Sequence, residues 1–531
     1  MRFKQFLIAG ALALTSLMTM SAQSIDNPIT RATMAVYDEV IAENPGDYET
    51  LLRRGNEYYN HYMYRQALDD VNQAMRYIPA ADKDARYRAL LLRANVYSLS
   101  NRYAETVTDL NEALGIEPKN YIATYLRANA YYNLGNYTDA QNDYTSLLRL
   151  NPRSQEAMFG LAKIAVKQNN LGVANDFADR AVNLTPAISD VYMSRAEVRQ
   201  LAGDNQGAVD DYIMAISTDS ENTARALQEL FKLSDTNYSS VINGLTGAIR
   251  SAPRQGMFYY IRAMIAQSHC NYSAAIEDYD KIINERLYVY EGLNASLAEC
   301  YLALGKYETA LMNIDYAIEA NPERASYYIL KSRILRATGN YQEALKNAET
   351  ALEKSPDDNA GLQALALAQE SLGQYQEASV TLSEAILNDS SDPYLLMLRG
   401  WILTDYRYQP EVAKTCYERV VDLDFDFDQV RSLKGFALLF LGKDDEAEQW
   451  MNTILSSVDD TDGIVNYYAT CFFAQKGMKD IAFRHMQQAL ERGYANYYNW
   501  VNNNDARINV APLRDDPRFR QLLDKYVILF K

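Results

Sequence analysis

Histidine, cysteine and tryptophan are scarce in this chain of 531 residues, which has three histidines, four cysteines and three tryptophans. The histidines lie far apart, at His61, His269 and His485. The cysteines show no close pairing and no metal-ligand spacing; they are Cys270, Cys300, Cys416 and Cys471. We therefore expect no metal centre and four buried thiols that pack as small apolar side chains, with a bridge between Cys270 and Cys300 left open.

The chain also lacks a glycine-rich phosphate loop and a Gly-x-Ser-x-Gly nucleophile elbow. Its acids are spread over what reads as helical surface, and nothing singles out a catalytic pair. The sequence therefore predicts a protein that is not an enzyme and that has no cofactor.

The chain has fewer basic than acidic residues, 52 lysines and arginines against 69 aspartates and glutamates, which gives a net charge of −17. An acidic surface is repelled by phosphate backbones, so we expect no nucleic-acid partner. A content of 48% hydrophobic and 23% charged residues excludes both a disordered and a membrane-embedded chain.

Only the first 22 residues resemble a targeting segment. Arg2 and Lys4 precede an apolar stretch from Phe6 to Met20, which is shorter than the ~20 residues that a spanning helix needs. We predict a signal peptide over residues 1–22, with retention as an anchor left open. Cleavage is expected after Ala22, and no cysteine lies there, since the first one in the chain is Cys270. We therefore expect an exported protein, periplasmic, outer-membrane-associated or secreted, without a lipid anchor and without an integral membrane segment after signal removal.

A period of 34 residues runs through the chain. Prolines mark it at Pro118, Pro152 and Pro186, and a small residue lies twelve positions before each, at Thr106, Ala140 and Ala174. Within each period, small residues at positions 8, 20 and 27 let two helices approach, large residues at 11 and 24 fill the space between them, and proline at 32 ends the second helix. Each period therefore predicts one helix–turn–helix unit.

The same frame fits thirteen times, and small irregularities mark two of the repeats. The starts fall near Tyr48, Tyr87, Tyr121, Gln155, Ser189, Asn222, Gly256, Glu291, Ala325, Asn359, Pro393, Asp428 and Gly463. Repeat 6 is the weakest match because Val241 replaces the usual alanine, and one extra residue near Gln409 and Pro410 loosens repeat 11.

This pattern resembles the tetratricopeptide repeat family. The resemblance implies an all-α, right-handed superhelical solenoid of about thirteen helix-turn-helix repeats with N- and C-terminal caps. We expect a capping half-repeat over residues 23–47, repeats 1–6 over 48–256, repeats 7–13 over 257–494 and a C-terminal helical cap over 495–531.

An arginine at position 7 recurs together with an aspartate at position 23. The pairs are Arg54 with Asp70, Arg93 with Asp109, Arg127 with Asp143, Arg195 with Asp211 and Arg262 with Asp278. Repeats 4 and 8 lack both charges, and Arg399 in repeat 11 is an exception that lacks its aspartate. The joint presence and absence predicts a salt bridge between the two helices of a repeat.

In the family, positions 2, 5, 9, 12 and 13 of the first helices line the inner groove. Carrying these positions over gives an asparagine at position 9 of repeats 1 to 3, with tyrosines and further asparagines beside it: Asn56, Tyr59, Asn60, Asn95, Tyr125, Asn129, Tyr132 and Asn133. Amides that both donate and accept hydrogen bonds suit the backbone of an extended peptide. The alternative is a set of solvated polar residues with no ligand.

A second candidate surface lies in repeats 11 and 12, where Trp401 and Phe436 hold position 9 and Phe440 lies nearby. If these side chains face the groove, they form an apolar interface. If the frame slips after the extra residue in repeat 11, they are core.

We predict a non-catalytic scaffold or adaptor that binds protein or peptide segments in the superhelix groove. Two alternatives remain, a carbohydrate-binding component of an outer-membrane uptake system and a self-assembling structural protein. The missing lipid-anchor cysteine counts against the first. The sequence leaves the partner's identity and the oligomeric state open.

Overall fold

The structure is a computed structural model that describes residues 28–218, 223–287, 290, 292–406, 409–423, 428–458 and 460–527. The predicted signal peptide and the predicted starts of repeats 6 and 8, Asn222 and Glu291, lie outside the described residues. The four cysteines are buried thiols and none forms a disulfide, as expected for apolar packing residues.

In the described part of the chain the secondary structure consists of 28 α-helices and two short 3-10 helices, and successive helices pack in pairs. The predicted all-α repeat fold is confirmed. No helix among these residues combines the length and the apolarity needed to cross a membrane. Two compact units divide between Gly244 and Leu245, inside the helical segment of repeat 6.

The first unit begins with a single helix, Pro28–Glu43, and continues through repeats 1 to 5. Its paired helices are Tyr48–Asn60 and Tyr64–Tyr77, Lys83–Leu99 and Tyr103–Ile116, Tyr121–Asn133 and Tyr137–Leu150, Gln155–Lys167 and Leu171–Leu184, and Ser189–Leu201 and Asn205–Thr218. The first helix of repeat 2 begins before the predicted Tyr87, because Asp82 caps it by accepting a hydrogen bond from the Ala85 amide.

In repeat 6 two helices within Thr223–Ser251 meet at a kink at Asn237. Asn237 has non-helical angles, φ −135° and ψ 44°, at the place where the other repeats turn. The weakest sequence match therefore coincides with an altered turn.

The second unit continues with repeats 7 to 13 and a tail. Its paired helices are Gly256–Ser268 and Tyr272–Glu285, Leu293–Ala303 and Tyr307–Ala320, Ala325–Ala337 and Tyr341–Lys354, Asn359–Ser371 and Tyr375–Asn388, Pro393–Asp405 and Pro410–Asp422, Asp428–Phe440 and Asp444–Ser457, and Ile464–Gln475 and Lys479–Glu491. The tail contains Tyr497–Val501, the 3-10 turns Asp505–Arg507 and Ala511–Leu513, and Pro517–Val527, which packs on the last helix of repeat 13.

A small side chain at position 20 is buried in every repeat. The residues are at most 1% exposed: Ala67, Thr106, Ala140, Ala174, Ala208, Val241, Ala275, Ala310, Ala344, Ala378, Ala413, Ala447 and Ala482. A larger residue here would push the two helices apart, so this position sets how closely they pack.

The predicted arginine–aspartate pairs form two-pronged salt bridges. In all five, the guanidinium Nη2 lies 2.6–2.8 Å from the carboxylate Oδ1, and the aspartate is buried. The remaining nitrogen, Nη1, donates to the preceding helix, at Asp38, Asn72, Asn111, Asp179 and Thr246. Each arginine therefore ties three helices together. Arg399, which lacks an aspartate, leaves its buried Nε without an acceptor.

The turn between the two helices uses a left-handed residue at position 15 of the repeat. Glycine occupies it in seven repeats: Gly135, Gly203, Gly305, Gly339, Gly373, Gly442 and Gly477. Tyr62, Asn101, Asn169 and Cys270 adopt the same positive φ in four others, at a steric cost that glycine avoids.

We expect Gly339→Ala to destabilise the second unit by about 1 kcal/mol through backbone strain alone. Gly339 has φ +79°, and a Cβ added there meets no atom within 4 Å. The matched control is Gly247→Ala, which also places its Cβ in open space but lies inside a helix, so it should stabilise by roughly 0.5–1 kcal/mol. Urea unfolding followed by tryptophan fluorescence measures both, and shifts of the same sign would contradict this explanation.

Candidate functional site

The first helices of consecutive repeats pack against one another in the first unit, so equal positions of the repeat fall in line. Position 9 carries Asn56, Asn95, Asn129, Lys163 and Glu197, which we call the polar line. Lys163 Nζ lies 2.7 Å from Glu197 Oε1, so repeats 4 and 5 are joined by an ion pair along it.

Repeat 3 holds its site residues together. The Tyr144 hydroxyl donates a hydrogen bond to the Asn129 side-chain oxygen, and the Tyr125 and Tyr144 rings lie 6.5 Å apart. Asn133 is exposed and donates to the Asn129 backbone oxygen at 2.9 Å. The Asn129 amide is thereby oriented with its oxygen toward Tyr144, which leaves its NH₂ group as the side available to a ligand.

Repeats 1 and 2 present a more open part of the polar line. Asn56 and Asn60 are exposed and Asn95 is half-buried. Tyr59 is half-buried and packs on Tyr64 with ring centroids 6.1 Å apart. These residues offer amide groups and an aromatic surface that a ligand reaches without displacing a core side chain.

Tyr59 and Tyr132 keep their hydroxyl protons at neutral pH. Burial raises the pKa of each, and the neighbouring Tyr137 and the Glu197 carboxylate add to the rise at Tyr132. Both tyrosines therefore act as hydrogen-bond donors with an apolar ring.

Lys163 and Glu197, at position 9 of repeats 4 and 5, were not among the predicted site residues. The signal was present, because these residues lie one and two further 34-residue steps beyond Asn129. The two charges extend the polar line beyond the asparagines.

The predicted apolar surface of repeats 11 and 12 is not exposed. Trp401 is 6% exposed and Phe436 is fully buried, while Phe440 is half-buried and packs on Phe436 and Tyr417. The Trp401 indole N–H donates to Asp405 at 2.9 Å. These side chains are therefore interior, and they offer no free apolar interface.

The chain's own residues 494–514, which we call the C-terminal segment, lie against the first helices of repeats 8, 11 and 13. Arg336 of repeat 9 donates to both carboxylate oxygens of Asp505, each at 2.9 Å, and Arg507 pairs with Asp405 of repeat 11 at 2.6 Å. Trp500 is fully buried. The segment thus occupies a face that the family resemblance assigned to a ligand.

A left-handed backbone bend directs these contacts. Ala506 and Arg507 have φ values of 52° and 54°, a conformation that costs L-residues roughly 1–2 kcal/mol each. The bend lets Asp505 reach repeat 9 while Arg507, two residues later, reaches repeat 11. No sequence pattern predicts it, because neither residue is glycine.

Between the C-terminal segment and repeats 7 to 9, with one wall from repeat 13, lies a polar cavity of about 220 Å³. Gln267, Glu299 and Arg333 line it from the repeats, and Tyr498 and Asn499 line it from the C-terminal segment. In the described part of the chain no group of three or more His, Cys, Asp or Glu side chains is arranged to hold a metal ion.

Stacked helix pairs with a constant period and a constant small residue at the helix contact define a helical-repeat protein. One family model described as Tetratricopeptide repeat matches residues 125–190 and 296–359, and a second model of that description matches residues 335–402. These matches identify residues 125–190 and 296–402 as tetratricopeptide repeats. Proteins of this family are generally non-catalytic scaffolds.

Several solved structures are similar at low identity. The yeast Tom70 structure is 17% identical, with 75% of this chain and 96% of that chain covered at a TM-score of 0.37. A tetratricopeptide repeat protein from Parabacteroides merdae is 19% identical, covering 54% and 98% at 0.29, and YrrB, titled a TPR protein with an unusual peptide-binding site, is 18% identical, covering 36% and 96% at 0.28. No curated protein matches the chain.

We expect Asp505→Asn to destabilise the second unit by about 3 kcal/mol, because it leaves the Arg336 guanidinium buried without its counter-charge. The two side chains are only 13% and 11% exposed. All three tryptophans, Trp401, Trp450 and Trp500, lie in this unit, so urea unfolding followed by tryptophan fluorescence reports on it. Asp515→Asn, an exposed carboxylate just beyond the segment, is the control; equal midpoints for both variants would show that the ion pair does not hold the segment.

Proposed function

We propose that this protein is a non-catalytic interaction scaffold and that its first unit binds an extended peptide segment of a partner protein along the polar line. The observation that carries the proposal is the accessibility of Asn56, Asn60 and Asn133 on the first helices, at family groove positions, next to half-buried tyrosines. The tetratricopeptide repeats support the general role of a scaffold, and the particular groove is our proposal.

The chemistry of the polar line suits a peptide backbone more than a particular side chain. Amide side chains at position 9 recur once per repeat and supply both donors and acceptors, as successive peptide groups require. The rings of Tyr59 and Tyr132 offer apolar surface for the peptide's side chains. At the far end of the polar line, Lys163 and Glu197 form an ion pair. A charged group of the peptide would compete with this pair, so these two residues would favour one direction of the bound peptide.

We further propose that the protein acts outside the cytoplasm, in a bacterial periplasm or at the outer membrane. The basic start, short apolar stretch and small residues of positions 1–22 support this placement. Mass spectrometry of the protein purified from its native host should find Gln23 as the first residue. A chain that retains Met1 or Arg2 would contradict export by a cleaved signal.

The test of the groove compares two double variants of the mature chain in a pull-down from cross-linked cell envelopes. Asn56→Ala/Asn95→Ala removes amides of the polar line, and Asn142→Ala/Asn175→Ala removes two exposed asparagines from second helices of the same unit. We expect the groove variant to lose its partners about tenfold in recovery while the control matches wild type. Asn129 is left intact because its oxygen accepts from Tyr144.

A captured protein supports the proposal only when a peptide from it binds directly. Peptides tiled across the partner, measured by fluorescence anisotropy, should include one that binds wild type and the control equally and the groove variant about tenfold more weakly. Recovery of the same proteins in the same amounts by both variants would reject the polar line as the binding site.

A further inference from the structure

The cavity of the second unit is too small for a peptide. Its volume of about 220 Å³ lies below the ~300–1,000 Å³ that is usual for pockets of drug-sized ligands. The C-terminal segment, in which Trp500 is fully buried, contacts the first helices of repeats 8, 11 and 13 and so covers neighbouring parts of this face. A ligand here is therefore a single small molecule, and its site is distinct from the polar line of the first unit.

Glu299 stands at position 9 of repeat 8 and faces this cavity. Its carboxylate accepts one hydrogen bond, from the Gln267 amide at 3.3 Å. The side chain is partly exposed because the cavity is open to water, yet the protein surrounds it closely enough that desolvation raises its pKa to about 7, against a lowering effect of Arg333. A carboxylate enclosed with so few partners is best completed by a cationic group.

Arg333 stands at the same position of repeat 9 and supplies the opposite charge. It is exposed, lines the cavity and acts electrostatically on Glu299 and on the Tyr498 hydroxyl. Within the part of the chain that the structure describes, it has no ion-pair partner, whereas Arg336 one turn later is fully used by Asp505. The guanidinium is therefore placed to take a carboxylate from a ligand.

The remaining walls supply uncharged polar groups. Asn496 and Asn499 of the C-terminal segment and Tyr468 of repeat 13 line the cavity. The segment positions them, because Asn496 donates to Tyr272 at 3.3 Å and Asn499 donates to the Tyr494 hydroxyl. The cavity therefore exists only with the segment in place.

We propose that this cavity binds a free α-amino acid, with the ligand ammonium at the Glu299 carboxylate and the ligand carboxylate at the Arg333 guanidinium. One negative and one positive group, unpaired with each other and facing one small cavity, match a zwitterion. A neutral sugar would leave both charges uncompensated, and an anion or a cation alone would leave one. The proposal stands independently of the peptide groove.

The test is isothermal titration calorimetry of the mature full-length chain with L-alanine, L-leucine and L-glutamine as probes. For each amino acid, the N-acetyl derivative lacks the ammonium and the amide derivative lacks the carboxylate, and glucose serves as a neutral probe of similar size. We expect at least one free amino acid to bind and both of its blocked derivatives to bind about tenfold more weakly or worse.

Two substitutions assign the two ends of the ligand. Glu299→Gln should weaken the free amino acid about tenfold and abolish its advantage over the N-acetyl derivative, and Arg333→Gln should abolish its advantage over the amide. The matched controls are Glu319→Gln and Arg254→Gln, which are exposed residues of the same unit outside the cavity and should bind as wild type.

Three outcomes overturn the proposal. They are no heat of binding for any of the amino acids at millimolar concentration, binding of glucose alone, and binding of an amino acid that neither cavity substitution weakens. Arg333 is exposed, so Arg333→Gln should retain the wild-type melting temperature and keeps the test decisive even if Glu299→Gln perturbs folding.

Discussion

The close approach of the two helices within each repeat is the constraint on which the rest of this structure depends. A side chain no larger than valine fills position 20 thirteen times, and it is essentially inaccessible each time. Helices that approach so closely bury large residues on either side, and the guanidinium of Arg127 can then reach both Asp143 in its own repeat and Asn111 in the preceding one. Widening that contact would break the salt bridge and the stacking together.

Because the period is constant, residues at the same position of different repeats occupy equivalent places in the structure. Asn56, Asn95 and Asn129 share one face for the same reason that Ala67 and Ala140 share the core. The arginine–aspartate pairs and the left-handed turns can therefore be recognised by aligning the repeats of this one chain with each other. The same period places Lys163 and Glu197 on the polar line, where their neighbouring positions let them form an ion pair.

The second unit differs after repeat 13, where the C-terminal segment no longer follows the 34-residue period. Its C-terminal segment joins Arg507 to Asp405 and Asp505 to Arg336, contacts between residues that are 102 and 169 positions apart. No period links them, and the bend at Ala506 is made by residues that sequence rules assign to ordinary backbone. The same first-helix face that stays accessible in repeats 1 to 3 is here covered, and its remainder is a cavity of small-molecule size.

The sequence by itself determined the all-α repeat fold, its approximate number of repeats and the helix-to-helix salt bridges. These features are local or recur every 34 residues, so the hydrophobic periodicity and the positions of glycine and proline are enough to predict them. Only the tertiary structure decided that Trp401 and Phe436 are interior and that Glu299 and Arg333 face a small cavity. The cavity follows from where one non-repeating segment docks, which depends on shape and charge complementarity across more than a hundred residues. Phe436 is buried instead by aromatic neighbours in repeats 12 and 13, Phe440 and Phe472.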